Sequence, residues 1–532
     1  MRRWNGWGDE AVEYPLPEPA LHFLQTRLGP AQTPEDARLS SVLEMAPNSR
    51  LPVHGLVTTD ALERLRHARG QSLPDWIQLR AGMIDSWPDG VAYPSNREQV
   101  RLLLDFAQEI GARLIPYGGG TSVVGHINPL RGQAPVLTVD MSRMNRLLDL
   151  DPRSHLATFE AGVHGPQLES QLQERGFTLG HYPQSWEYST LGGWIATRSS
   201  GQQSLYYGRI EQMLVGAELE TPSGRLVLPP YPASAAGPDL RHLALGSEGR
   251  LGLITQATLR VRPLPAQEAF LGAFFRDWEG GMEAARNLAQ EKLRLSMVRL
   301  SDPEETETTL ALSGHTRLLG PLLRALRLLG YGPQRCLLIY GITTSPPDVS
   351  RVQRRAAEIL RACGGLPVGS WPGRTWARSR FKAPYLRNTL WQHGYALDTL
   401  ETALPWARLE PARQKILHAI RSSFQSQETA CLVFSHLSHL YEHGASLYIT
   451  YLFPRQQTPE ATLESWRLVK TAASQAIVDT GGTISHQHGV GLDHREFLAP
   501  EKGPVGLAVL HAAIQACDPQ GLLNPGKLLP GS

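Results

Sequence analysis

The amino-acid sequence predicts an α+β fold in successive domains, the later one built on an antiparallel sheet covered by helices. Three observations carry this. The composition, 41% hydrophobic and 19% charged over 532 residues, is that of a globular chain long enough for two or three cores. Short strand and helix patterns broken by glycine turns fill residues 86–265, and longer strand–helix units replace them after Pro263. Gly 50 and Pro 40 together exceed average usage, which predicts many tight turns.

Residues 1–85 mix short helical patterns with prolines and read as an irregular N-terminal extension. From Tyr93, YPSNREQVRLLLDFAQEIGARLIPYGGG reads as a turn, then an amphipathic helix presenting Val100, Leu103, Leu104, Phe106, Ala107 and Ile110, then a short strand running into glycines. PVLTVDMS and HLATFEAGV read as strands, GPQLESQLQERG as a helix, and LRHLALGSEGRLGLITQATLRVRP as a glycine turn before an alternating strand. Past Pro263, CLLIYGITTS reads as a strand, PPD as a turn and VSRVQRRAAEILRACGG as a helix. Residues 296–300, 446–453 and 482–488 read as further strands, with helices over 458–480 and 500–517.

Charge excludes a nucleic-acid partner, because 52 Lys+Arg against 50 Asp+Glu leaves only +2. Cys336, Cys363, Cys431 and Cys517 are scattered, with neither the spacing of a zinc site nor that of a disulfide framework, so no metal and a reducing cytoplasm are expected. MRRWNGWGDEAVEYPLPEP breaks into acid and proline before any apolar core of a signal, and no run of about 18 apolar residues occurs. One segment, RLLGPLLRALRLLG from Arg317 to Gly330, carries a leucine stripe beside arginines. Packing of that stripe on a sheet is the favoured reading, and a peripheral membrane contact is the alternative.

The strongest chemical signal is PYGGGTSV, where three glycines followed by Thr121 and Ser122 let backbone amides surround an anion such as a diphosphate. It is neither a Rossmann nor a Walker loop. Gly246-Ser247-Glu248-Gly249 and Ser189-Thr190-Leu191-Gly192-Gly193-Trp194 add two more glycine clusters to the same domain. Three such loops point to an extended dinucleotide laid across loop ends.

The order YPSNREQV, PYGGGTSV, YSTLGGWIATRSSG, YYGRIEQMLVGAELETPSG and LALGSEGRLGLITQATLRVRP resembles the FAD domain of the vanillyl-alcohol oxidase, or p-cresol methylhydroxylase-type, superfamily. Within it, RRWNGWG, FKAPYLRN, ETALPW, HLSHLYEHGASLY and SHQHGVG resemble the alkyldihydroxyacetonephosphate synthase family, flavoenzymes that make the ether bond of ether lipids. The resemblance implies an FAD-binding domain over 86–265, a cap domain over 266–455 and a C-terminal segment, 456–532, that completes the active site and returns to the FAD domain. It further implies that Pro116, Tyr117, Gly118, Gly119, Gly120, Thr121 and Ser122 wrap the FAD diphosphate. Gln184, Ser185, Ser189, Thr190, Gly193, Trp194 and Thr197 would line the cofactor's other side, and Glu248, Gly249, Leu251, Gly252 and Ile254 its adenine and ribose side. No histidine directly follows the glycines, so non-covalent FAD is implied, with His126 a loop histidine.

The family reaction exchanges the acyl group of acyl-dihydroxyacetone phosphate for a long-chain alcohol without net redox change, the flavin N5 acting as nucleophile. Tyr448 matches the family's acid/base tyrosine, Arg387 its substrate-binding arginine and Arg299 a further required arginine; a guanidinium fork suits phosphate or carboxylate. A tyrosine near pKa 10 needs neighbouring cations to act as a base at neutral pH. Where the family has three consecutive histidines this chain has His486, Gln487 and His488, so His486 or His488 is expected to carry proton exchange, with His436 and His439 candidates for the same pocket. The expected geometry is a turn-distorted strand that brings His488 and at least one neighbour to the pocket. A homodimer is an open expectation. A second departure is DPQGLLNPGKLLP, which looks more like the tail of FAD-linked D-2-hydroxy acid dehydrogenases. That activity is the runner-up, disfavoured because the Gly-Glu-His-Gly and Asp-Gly-Asn segments of those enzymes are missing. A flavin-binding protein without catalysis is third.

Overall fold

The computed structural model describes residues 1–531 apart from 34, 313–315 and 345. Three larger sheets organise it, beside a two-stranded pairing of Phe177–Thr178 with Arg262–Pro263. The first has four strands in the order Val57–Thr58, Gly90–Ala92, Val136–Asp140 and Arg113–Tyr117, the last two pairings being parallel. Helix Arg97–Ile110 covers it. Its start is fixed by the Asn96 side chain, which accepts from the Gln99 amide, and its end by Gly111 at φ 68°. Val100, Leu103, Leu104 and Ala107 are buried on the sheet, whereas Phe106 and Ile110 are only partly covered.

The second sheet is antiparallel, in the order Leu147–Asp151, Leu156–Glu160, Leu253–Arg260, Leu214–Thr221, Gly224–Leu228. Phe159, Leu219 and Leu259 on it pack against Leu191, Trp194 and Ile195, so helix Leu191–Thr197 is anchored by its own apolar face. The third sheet has seven strands, all pairings antiparallel, in the order Leu366–Pro367, Gln267–Phe275, Cys336–Thr344, Leu295–Ser301, Leu432–Tyr441, Gly444–Pro454, Tyr395–Pro405. Strand Cys336–Thr344 is buried along its whole length, as expected of an unbroken apolar run covered on both faces. Helices Pro459–Asp479 and Ala499–Cys517 follow the last strands, and the chain then returns to the first sheet, where Leu523 bridges Leu114.

Three sequence expectations change, the first being the turn expected at Pro346-Pro347-Asp348, which is instead the first turn of helix Pro346–Ala362. Residues 482–488 form a loop and not a strand. Residues 1–85 are more than an irregular extension, since Val57–Thr58 enters the first sheet, helix Leu73–Ala81 buries Trp76, and Trp7 joins the largest core. Helix Thr316–Leu328 does form, and Leu322, Leu323 and Leu326 pack on Phe274, Met297 and Ile339 of the third sheet, while Leu328 is 89% exposed. The side chains of its first residues, Arg317 to Leu319, lie outside the described part. Among the described residues no helix is long and apolar enough to cross a membrane.

Candidate active site

A cavity of about 600 Å³ is lined by loops of the first two sheets and by residues of the third. Pairing of strand Arg113–Tyr117 with its neighbour ends at Tyr117, so the glycine loop begins where the hydrogen-bond ladder stops. Among the described residues none accepts a hydrogen bond from the backbone amides of Gly118 to Ser122, which line the cavity. Consecutive unpaired N–H groups on a cavity wall suit an anion. A Cβ on Gly118 would strike the Thr190 side chain and one on Gly119 the Tyr188 carbonyl, while Gly120 has φ +65°. The loop is therefore pressed against residues 188–190 as well as open to a ligand, and these residues fit the diphosphate of FAD. Arg2 donates to the Gly119 carbonyl from the other side.

Pro116 to Ser122, Gln184, Ser185, Ser189, Thr190, Gly193, Trp194, Thr197, Glu248, Gly249, Gly252 and Ile254 all line this cavity, as do Arg299, Arg387, Tyr448 and His488. Leu251 does not; it is buried in the main core. His486 is also absent from the lining. His126 also lines the cavity and faces the Ser122 hydroxyl at 2.9 Å and the Glu248 carboxylate at 3.1 Å. Asn524, from the C-terminal tail, ties the site together by donating to the carbonyls of His126 and Glu248.

Tyr448 lies on strand Gly444–Pro454, in register with Glu401 on one side and His436 on the other. Its ring stacks on His436 at 4.9 Å and meets the edge of His488 at 5.7 Å. Burial pushes the phenol well above its ordinary value, with Arg299 opposing only in part, so Tyr448 stays protonated at neutral pH. Burial lowers both His436 and His488, which are neutral imidazoles there. The Glu305 carboxylate lies 2.9 Å from His436 Nδ1 and 2.7 Å from Arg299 Nη2. Burial alone would raise Glu305, but Arg299 and His436 outweigh it and hold the carboxyl at about 2. Arg387, on helix Ala383–Gln392, donates to the Gln71 carbonyl at 2.7 Å and stands 4.5 Å over the Trp76 ring. Among the described residues it is in no ion pair.

Residues three apart on a regular strand face opposite ways. His436 and His439 nevertheless both line the cavity, because the register of strand Leu432–Tyr441 shifts between Leu437 and Leu440 and the extra residue restores one facing.

The loop after helix Pro459–Asp479 is hung from two buried carboxylates. Glu401 Oε1 accepts from the amides of Gln487 and His488, each at 2.6 Å, and Glu248 accepts from those of Val490 at 2.6 Å and Gly491 at 2.9 Å. Gly489 between them has φ +84°. Amides engaged by carboxylates cannot pair with a strand, which is why 482–488 does not extend the sheet. Gln487 and His488 face the cavity; His486 is buried behind the lining, 5.0 Å from the His439 ring, its Nε2 accepting from Arg209 at 2.7 Å and Tyr441 at 2.6 Å. Sequence reading missed Glu401, Glu305 and Arg209. Glu401 and Arg209 sit inside the ETALPW and YYGRIEQ motifs, while Glu305 left no signal.

Residues 88–228 match the family model described as the FAD binding domain, and residues 264–528 the one described as FAD linked oxidases, C-terminal domain. An alkyldihydroxyacetonephosphate synthase of Dictyostelium discoideum is 33% identical over 478 residues, covering 88% of this chain and 78% of that protein. A solved alkyldihydroxyacetonephosphate synthase superposes with TM-score 0.85 at 29% identity over 99% of both chains. Solved p-cresol methylhydroxylase, at 15% identity, TM-score 0.63 and 96% coverage of both chains, shares the fold. The chain carries an FAD-binding domain of p-cresol methylhydroxylase type and belongs to the alkyldihydroxyacetonephosphate synthase family.

Proposed function

We propose that the protein is an FAD-dependent alkyldihydroxyacetonephosphate synthase, exchanging the acyl chain of acyl-dihydroxyacetone phosphate for a long-chain alcohol. The observation that carries this is the continuity of one cavity from the glycine loop past Arg299, Arg387, Tyr448 and His488 to an apolar wall that includes Leu312, Leu337 and Ile339. Such a wall suits a fatty chain, and the charged end suits a phosphate. When bound, the non-covalent flavin supplies the nucleophilic nitrogen of the exchange.

The protein's own groups do the rest. Arg387, without a carboxylate partner, holds the anionic end of the substrate. Tyr448 Oη keeps its proton and hydrogen-bonds the departing carboxylate, which leaves as the anion, while neutral His488 accepts the proton lost from the substrate carbon. Glu305 keeps the His436 proton on Nδ1, so that His436 braces the Tyr448 ring, and Glu401 sets the backbone of Gln487 and His488. Incubation of the yellow protein with acyl-dihydroxyacetone phosphate and labelled hexadecanol should give labelled alkyl-dihydroxyacetone phosphate and free fatty acid. Flavin reduction by a D-2-hydroxy acid, with no labelled ether, would favour the dehydrogenase alternative.

A further inference from the structure

Arg380 follows helix Trp371–Ser379, and its guanidinium sits among three aromatic rings, 4.9 Å from the centroid of Tyr182, 5.5 Å from Trp376 and 4.8 Å from Phe381. It lines the cavity beside Gln202 and Ser379. Gln203, fully buried, fixes it from the side. The Gln203 amide nitrogen donates to Glu268 at 2.8 Å, which turns its oxygen to accept from Arg380 Nη1 at 3.1 Å. Glu268 is exposed, and besides holding that amide its charge favours the Arg380 cation through space without forming an ion pair.

The lining carries Arg299, Arg380 and Arg387 with Glu248, Glu305 and Asp398, but these charges are not all joined in ion pairs. Arg299 is matched by Glu305 at 2.7 Å, and Asp398 by Lys470 at 3.4 Å. Arg387 and Arg380 have no carboxylate partner among the described residues. Keeping a guanidinium largely out of water without an ion-pair partner is costly, so two such groups on one cavity suit an anion such as a phosphate monoester. Rings on the guanidinium face leave its N–H edge to make the contact.

We propose that Arg380 is a second phosphate-binding residue, acting with Arg387 on the phosphate of the substrate. This rests on the alkyl-transfer reading above. The cofactor's diphosphate offers the same chemistry, because Tyr182 stands next to the expected cofactor loop at Gln184 and Ser185. A titration separates the two sources.

Wild-type holoenzyme, Arg380→Gln and Arg380→Lys are titrated with dihydroxyacetone phosphate and with phosphate-free dihydroxyacetone, reading flavin absorbance and FAD content. The expected result is a Kd for dihydroxyacetone phosphate about 10- to 100-fold weaker in Arg380→Gln, partly restored in Arg380→Lys, with FAD content and dihydroxyacetone binding unchanged. Should Arg380→Gln fail to fold, Gln203→Met, which keeps the cation but removes the oxygen that orients it, is expected to weaken the same Kd about three- to tenfold. A Kd equal to wild type in these variants would overturn the proposal. Loss of FAD in Arg380→Gln, recovered in Arg380→Lys, would also overturn it by assigning the cation to the cofactor. Wild-type protein that ignores dihydroxyacetone phosphate while remaining yellow would sink the alkyl-transfer reading itself.

Discussion

Replacing Tyr448 by phenylalanine is expected to lower kcat by about 10²- to 10³-fold, the range for loss of a positioned hydrogen-bond donor to a developing negative charge, with FAD content unchanged. The phenol ring's stacking on His436 survives this change, so packing is preserved and only the hydroxyl is lost. Because burial holds the phenol protonated, the wild-type pH profile should show no limb near pH 10 from Tyr448. The acid limb should come instead from charging of His488, whose pKa is lowered by burial, so activity persists below pH 6.5 before falling. Arg387→Ala provides the contrast. Removing the unpaired cation should raise KM for the phosphate substrate in addition to lowering turnover, whereas Tyr448→Phe should leave KM nearly unaltered. Normal kinetics for Tyr448→Phe would remove the hydroxyl from the reaction.

The second large effect is expected at Gly119, where valine should abolish FAD retention. From the sequence the reason is that a side chain blocks the approach of backbone to diphosphate. The structure adds an earlier obstacle, since even a Cβ would run into the Tyr188 carbonyl. Valine must therefore push the glycine loop away from residues 188–190, and the run of free amides from Gly118 to Ser122 loses its shape. FAD absorbance in the purified variant, together with its thermal midpoint, checks this: colourless, destabilised protein is expected, and a fully loaded variant would mean that the loop is no cofactor cradle.

What could be read in advance follows the range over which residues act. The glycine loop was legible because its requirement is local, amides and glycines within seven positions. Helix Arg97–Ile110 was legible because its apolar spacing and flanking Asn96 and Gly111 are contiguous in sequence. Residues 482–488, expected as a strand, form a loop because what shapes them and the residues that follow comes from far away. Glu401 lies 86 residues before Gln487, and Glu248 lies 242 residues before Val490. No alternation of residue types announces a carboxylate that accepts backbone amides. The facing of His439 was hidden for a related reason, since it depends on one extra residue in a strand whose register is set by its partner. His486 was expected at the pocket because His486-Gln487-His488 stands where the family has three histidines, yet Arg209 and Tyr441 hold it outside the cavity lining. The tail that resembles D-2-hydroxy acid dehydrogenases closes the glycine-loop domain through Leu523 and Asn524, the latter also lining the cavity.

The central claim, that this cavity carries out exchange at dihydroxyacetone phosphate and not oxidation, is tested most directly by a single-turnover measurement without alcohol. Purified holoenzyme is mixed with acyl-dihydroxyacetone phosphate under anaerobic conditions, and flavin absorbance and free fatty acid are followed together. The account predicts a perturbed flavin spectrum with close to one fatty acid released per flavin, the spectrum returning when a long-chain alcohol is added. An unchanged spectrum and no fatty acid, alongside reduction of the flavin by a D-2-hydroxy acid, would contradict it.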